Sequence, residues 1–390
     1  MRLLIAFCIL GLSWLSIAES EESKIVCYFG SWAVYRTGNG KIEISDLDPK
    51  LCTHMIYTFV GITEAGEVEV LDAWADLPDN WGRAGFQKFN ALRELNPGMK
   101  TLVAIGGWNQ GSDRYSRVAG NSALRSHFAN NAMEFVLKYE FDGLDFDWEY
   151  PNQRGGTPAD VENFVLLLKE LRDRFDEHDL ILTAAVAATE DSASLSYNIP
   201  SISKYLDFIN IMTYDFHGSW DPVTGHNAPL YPTTRDTTAI ARRLNVNASV
   251  HYWLSRGTPA EKLVLGTALY GRTFTLSNSG QNSPGSAASG PGTAGPYTGE
   301  RGMLGYNEIC EQQMKPTWTT AWDDQQRVPY AHSGNQWVTY DNVESITEKA
   351  NYAKTMGLGG AMVWSIETDD FRGICGSKYP LLNALNQVLR

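Results

Sequence analysis

The chain has 390 residues, 43% of them hydrophobic and 20% charged, with 32 Lys and Arg against 45 Asp and Glu and a formal net charge of -13 at pH 7. Such an apolar fraction buries a sizeable core and excludes a disordered or fibrous chain, while the length fits two average domains or one large α/β barrel with an insertion. An acidic balance without clustered Lys and Arg argues against a nucleic-acid surface and favours an uncharged ligand.

At the N-terminus, Met1 and Arg2 precede an apolar run from Leu3 to Leu15, and small residues follow in Ser16-Ile17-Ala18-Glu19-Ser20. Residues 1–20 therefore read as a secretory signal peptide, and the chain is expected outside the cell. The alternative is a membrane anchor, but the run is shorter than the roughly 20 apolar residues a span requires, and no second run follows. Cys8 would leave with the signal, so Cys27, Cys52, Cys310 and Cys375 remain. An even number suits disulfides in an oxidising compartment, and the residues alone leave three connectivities open. No Cys sits in a C-x-x-C pair and the 7 His show no H-E-x-x-H spacing, so neither a metal nor a cofactor is expected.

Eight short apolar, β-branched runs follow in order: Lys24–Phe29, His54–Ile62, Lys100–Gly107, Phe141–Tyr150, Leu180–Ala188, Leu206–Tyr214, Leu263–Gly271 and Gly357–Ile366. Their near-continuous hydrophobicity suits parallel strands buried on both faces, and Ala84–Leu95, Ala123–Tyr139 and Pro158–Phe175 between them carry helical periodicity. The fold class expected is α/β, a (β/α)8 TIM barrel. A doubly wound sheet is the second choice, since no G-x-G-x-x-G or Walker-type loop marks a switch-point site. Asn247-Ala248-Ser249 is a sequon, so Asn247 is a candidate glycan acceptor. Roughly 85 residues separate the last two runs, far more than one crossover needs. They open with the Gly/Ser/Pro-rich stretch Ser277–Gly295 and continue through short elements at Gly305–Cys310, Val328–Ala331 and Gln336–Tyr340. A small α+β insertion lobe over about 273–345, on the rim of a barrel spanning 21–390, is expected. No appended binding module is expected after Leu389.

The fourth run carries the chemistry. In Asp142-Gly143-Leu144-Asp145-Phe146-Asp147-Trp148-Glu149-Tyr150, strand alternation puts Asp145, Asp147 and Glu149 on one face and Leu144, Phe146 and Trp148 on the other. In a barrel the apolar set faces the helices, so the acids enter the lumen with Glu149 nearest the C-terminal mouth. A solvated edge strand is the plain alternative. Stacked like charges in a part-buried site share protons, leaving at least one carboxyl protonated near neutral pH and able to donate. A glycosidic oxygen leaving in the transition state needs that donor.

The pattern D-x-x-D-x-D-x-E, complete as Asp142, Asp145, Asp147 and Glu149, resembles glycoside hydrolase family 18, the chitinases. The resemblance runs on through Cys27-Tyr28-Phe29, Gly106-Gly107-Trp108, Met212-Thr213-Tyr214-Asp215, Tyr270-Gly271-Arg272 and Met362-Val363-Trp364-Ser365, and is strongest to secreted arthropod and vertebrate members. It implies hydrolysis of β-1,4-linked N-acetylglucosamine polymers with retention, Glu149 acting as acid and base and the substrate's acetamido oxygen as nucleophile. Asp147 would orient the acetamido N–H, Asp145 would share a proton with Asp147, and Tyr214 would donate to the acetamido carbonyl. Asp142 faces the other way and is assigned to holding the strand.

The same resemblance suggests a sugar-binding set of Tyr28, Trp32, Phe59, Trp108, Asn109, Tyr150, Met212, Asp215, Trp220, Tyr270, Arg272 and Trp364, with Trp364 as the floor. For Arg272 a structural salt bridge is a serious rival reading. Trp74 and Trp81 are candidates to lengthen the groove, whereas Trp318 and Trp322, of 12 Trp in all, read as packing. By family pattern Cys27 pairs with Cys52 and Cys310 with Cys375. The implied ligands are chitin and chitooligosaccharides, with no nucleic acid, no membrane and a monomeric chain. The alternative activity is a non-catalytic oligosaccharide-binding lectin or growth-factor-like protein, against which Glu149 speaks; a relative that cuts other N-acetylglucosamine glycans is a further one.

Overall fold

A computed structural model of the chain describes residues 23–390. The expected signal segment, Cys8 included, lies outside the described residues. Eight parallel strands close on themselves: β1 (Lys24–Gly30), β2 (His54–Ile62), β3 (Lys100–Gly106), β4 (Gly143–Asp147), β5 (Ile181–Ala187), β6 (Phe208–Met212), β7 (Leu263–Ala268) and β8 (Gly360–Trp364). Each pairs with its neighbour in chain order, and β1 closes the ring by pairing with both β2 and β8, Cys27 lying opposite Met55 on one side and Val363 on the other. The TIM barrel read from the eight runs is therefore the fold, and the doubly wound alternative falls because its sheet would have open edges.

Strand alternation sorts the core into two shells. Ile25, Cys27 and Phe29 of β1, with Leu144 and Phe146 of β4, pack outward against helices such as Ser122–Lys138 and Asp160–Phe175. Val26, Tyr28, Ile56, Leu102, Ala104, Val264 and Met362 fill the lumen. The helix expected over Ala123–Tyr139 runs Ser122–Lys138, started by Asn121, whose side-chain oxygen accepts from the Ala123 and Leu124 amides at 2.9 and 3.1 Å. Such a cap is worth about 1 kcal/mol. Asp142 lies below the β4 ladder, where it accepts from Arg93 at 2.9 Å and from the Thr101 amide at 2.8 Å.

Several expected runs overrun the observed strands, Leu206–Tyr214 and Gly357–Ile366 among them, and two do so for a reason periodicity does not carry. The run Leu263–Gly271 is two strands: β7 stops at Ala268, the Leu269 amide donates to the Trp364 carbonyl at 2.9 Å, and Tyr270–Leu276 begins an antiparallel sheet. Parallel and antiparallel strands share one period, so the change of partner leaves no mark in the pattern. The run Phe141–Tyr150 pairs only over Gly143–Asp147, so Glu149 projects beyond the ladder. The lobe comprises a six-stranded sheet over residues 270–339 and a helix, Tyr306–Gln313. It has its own small cores, Leu304, Ile309, Ala331, Val338 and Tyr340 in one and Phe274, Leu276 and Trp337 in the other. Cys27 is bonded to Cys52 and Cys310 to Cys375, the latter bond tying the lobe helix to the segment after β8. No helix among the described residues is long and apolar enough to cross a membrane.

Candidate active site

The apolar residues of β4 seek the helices, so its acids turn inward: Asp145 is 0% and Asp147 4% exposed. Asp145 is caged at the barrel centre. It accepts from Tyr28 Oη at 2.7 Å, Thr183 Oγ1 at 2.6 Å and Asn210 Nδ2 at 3.3 Å, and Asn210 also donates to the Tyr28 hydroxyl at 3.0 Å. Burial lifts its carboxyl to about 6, and the three donors hold it from rising further. Asp147 has no such cage: its Oδ1 is buried without a hydrogen-bond partner. Burial first, then the charges of Glu149 and Asp145, hold it well above the usual carboxylate range. No hydrogen bond links Asp145 to Asp147 among the described residues, the Asp145 oxygens being directed to Tyr28, Thr183 and Asn210.

Glu149, half-buried at the mouth, is pushed up to about 7 by burial, with Asp215 raising it and a Tyr150 hydrogen bond and the Arg154 charge opposing. A carboxyl titrating there keeps a proton to give near neutrality. Gly106 and Gly107 make room for this edge. Gly107 donates its amide to the Asp147 carbonyl at 2.9 Å, and a Cβ on Gly106, whose φ is +123°, would meet that same oxygen at 1.9 Å. Non-proline cis peptides join Thr58 to Phe59, Glu149 to Tyr150 and Trp364 to Ser365.

Beside the acids lies an aromatic cluster. Trp364 is within 5.5 Å of Tyr28, 5.8 Å of Phe59 and 6.2 Å of Trp32, and Trp32 stacks on Phe59. Trp108 and Trp220 stand out further, 58% and 57% exposed, far more than core packing allows. The Tyr214 hydroxyl donates to the thioether of Met362 at 3.7 Å, a weak acceptor that a better one would displace. Met212 packs in the lumen with this group.

Asp215, in the left-handed region at φ +59°, accepts from Tyr270 Oη at 2.6 Å and from Arg272 Nε and a terminal nitrogen at 2.7 Å each. Arg272 thus forms the salt bridge of its structural reading, and its guanidinium also lies 5.3 Å from the Trp220 ring.

Other expected residues stand apart. Asn109 is exposed beside Trp108 and joins none of these networks, and the Tyr28 hydroxyl is spent on Asp145. Trp74 is exposed and stacks on Tyr35 at 5.8 Å, while Trp81 is almost wholly exposed. Trp318 packs on the lobe core as expected. Asn247 lies in the first turn of the helix Val246–Ser255, its oxygen accepting from Tyr352 Oη at 3.1 Å. Reading by motif missed Thr183, Asn210 and Arg154. The first two carried a signal, a lone polar residue at a lumen position of an apolar strand, which must have a buried partner.

Residues 24–369 match the family model described as Glycosyl hydrolases family 18. The chain is 43% identical to probable chitinase 2 of Drosophila melanogaster over 96% of its own length and 83% of the relative's. Its fold is similar to that of the Group IV chitinase of Ostrinia furnacalis solved with allosamidin, with a TM-score of 0.92 and 50% identity over 94% of this chain and 99% of that one. It is also similar to human YKL-39, described as a pseudo-chitinase with retained chitooligosaccharide binding, with a TM-score of 0.86 and 38% identity over 94% and 99% of the two chains. By sequence over most of its length and by the fold that holds its acids, the chain belongs to glycosyl hydrolases family 18.

Proposed function

We propose that this protein is a secreted chitinase that cleaves β-1,4-linked N-acetylglucosamine polymers with retention of configuration. The observation that carries the reading is the pair formed by Glu149, poised to hold a proton near neutrality, and Asp147, whose inner oxygen is buried and unpartnered. Glu149 gives its proton to the glycosidic oxygen as the C1–O bond breaks. The carbonyl oxygen of the substrate's acetamido group bonds to C1 from the opposite face, forming a positively charged oxazolinium ring. Asp147 accepts the acetamido N–H and stabilises that charge, Tyr214 donates to the acetamido oxygen, and Asp145 holds the strand's electrostatics through its cage. Water then adds to C1, losing a proton to Glu149 and reopening the ring. Trp364 is the floor for the sugar being cut, and Trp32, Trp108 and Trp220 extend it. The signal segment and the two disulfides support secretion; the chain acts as a monomer, and its ligands are chitin and chitooligosaccharides.

A lectin reading remains physically distinct, because the related pseudo-chitinase shares the fold. What separates the two is whether a proton donor stands at the mouth, and Glu149 does. The test is incubation with chitin hexamer, reading products by NMR before mutarotation. The β-anomer should form first, and Glu149→Gln should lower kcat by at least roughly 10²-fold with binding retained. An initial α-anomer, or unchanged turnover in the variant, overturns the mechanism. Release of N-glycans without cleavage of the hexamer would assign a different substrate.

A further inference from the structure

Arg154 belongs to the loop between β4 and the helix Asp160–Phe175 and is not part of the carboxylate motif. Its guanidinium carbon lies over the Trp108 indole, 3.5 Å from the ring centroid. One terminal nitrogen donates to two backbone carbonyls, that of Trp108 at 2.7 Å and that of Glu149 at 3.1 Å. The loop that presents it is pinned. The Ser112 amide donates to the Arg154 carbonyl at 3.2 Å, Ser112 Oγ to the Tyr150 carbonyl at 3.0 Å, and Trp148 Nε1 to Ser112 Oγ at 2.9 Å. Asp160, fully buried, accepts from the amides of Asn152 and Thr157 at 3.2 and 2.7 Å. A side chain held this way has little freedom left to lose, which is why an exposed arginine can act as a fixed part.

We infer that Arg154 is a positioning residue: it joins the backbone of the proton donor Glu149 to the exposed platform Trp108, so that acid and sugar surface keep one relative geometry. The inference rests on the hydrolase reading above. A free indole on a loop after β3 would sample several rotamers, and an ordered one costs rotamer entropy at each binding event. Cation–π contact with a flat guanidinium removes that cost in advance.

Arg154 also acts on Glu149 by charge. The ionisable groups around Glu149 are Asp147 and Asp145 of β4, Tyr150 next in the chain, Tyr214 and Asp215 beyond β6, Tyr197 after the helix Glu190–Ser196, and Arg154. Within this set Arg154 supplies the positive charge that lowers the Glu149 carboxyl. Solvent screens it, because Arg154 itself is exposed.

The test compares the wild-type chain with Arg154→Gln and Arg154→Lys on chitin hexamer, measuring kcat and KM across pH and hexamer affinity by calorimetry. In Arg154→Gln the alkaline limb of kcat/KM should move up by about half a pH unit, as loss of one screened charge predicts, and hexamer affinity should fall by roughly 5-fold. Arg154→Lys should restore the limb, because the charge returns, but not the affinity, because a compact ammonium does not cover the indole ring as a planar guanidinium does. If the limb in Arg154→Gln coincides with wild type, or lysine restores both readouts, Arg154 is not a positioning residue. Should the glutamine variant fail to fold, the affinity of the lysine variant alone decides. An inactive wild type that still binds hexamer sinks the hydrolase reading, whereas equal affinity in all three proteins sinks this one.

Discussion

At the scale of single residues, the carboxyl groups of Asp145, Asp147 and Glu149 differ chiefly in what surrounds them. Asp145 has three donors, Asp147 has an orphaned oxygen, and Glu149 has the mouth of the barrel. The environment therefore divides labour among identical chemical groups. Glu149 donates only when protonated, and its carboxyl titrates at about 7, so kcat/KM on chitin hexamer should fall as pH rises through that value. A flat profile from pH 6 to 9 would detach Glu149 from the chemistry.

The same shift has a stability consequence. Unfolded, Glu149 ionises near 4.5; folded, it keeps its proton until about 7, so folding is penalised progressively between those values and fully above them. Glu149→Gln should then melt about 2 °C higher than wild type at pH 8 and show little difference at pH 4. Asp147→Asn is expected to cost kcat more than KM, since its contact strengthens as the acetamido group becomes charged.

At the scale of elements, the site depends on how closely β3 passes β4. Gly106 sits at a positive φ against the Asp147 carbonyl, and Gly107 against the Phe59 ring. Gly106→Ala must both strain the backbone and push β3 from β4. Activity should fall by at least about 10-fold, a misplacement of the acids being costly at sub-ångström scale, and Tm should drop with it. Retained activity at wild-type Tm would show that the strand edge yields. Reading by pattern overran several strands, and at β4 and β7 the overrun lies at the mouth. There the chain stops obeying the ladder and begins to serve the site, with Glu149 past the end of β4 and Tyr270 and Arg272 on a strand of the lobe.

At the scale of the whole molecule, lobe and barrel are tied together by side chains as well as by the chain itself. Asp215, from the loop after β6, is held by Tyr270 and Arg272 of the lobe, and Cys310 of the lobe helix is bonded to Cys375 beyond β8. The bond closes a loop with a sequence separation of 65, for which chain entropy predicts about 4 kcal/mol. Replacing both Cys310 and Cys375 by Ala should lower Tm and the denaturation midpoint while leaving kcat on hexamer within about 3-fold, because neither sulphur touches the acids. Loss of activity without loss of stability would mean that the bond shapes the groove.

Residue types and their spacing were enough to determine the barrel and the inward face of Asp145, Asp147 and Glu149, because alternation at period two and a closed parallel sheet leave one place for alternating acids to go, while the family was legible only through its resemblance in motif. Tertiary structure alone decided which acid is caged and which is orphaned. Thr183, Asn210 and Tyr28 come from three other strands, and Arg154 reaches Trp108 across a separation of 46 residues. Electrostatics is set by distance in space, and distance in space between strands is what a linear pattern does not contain.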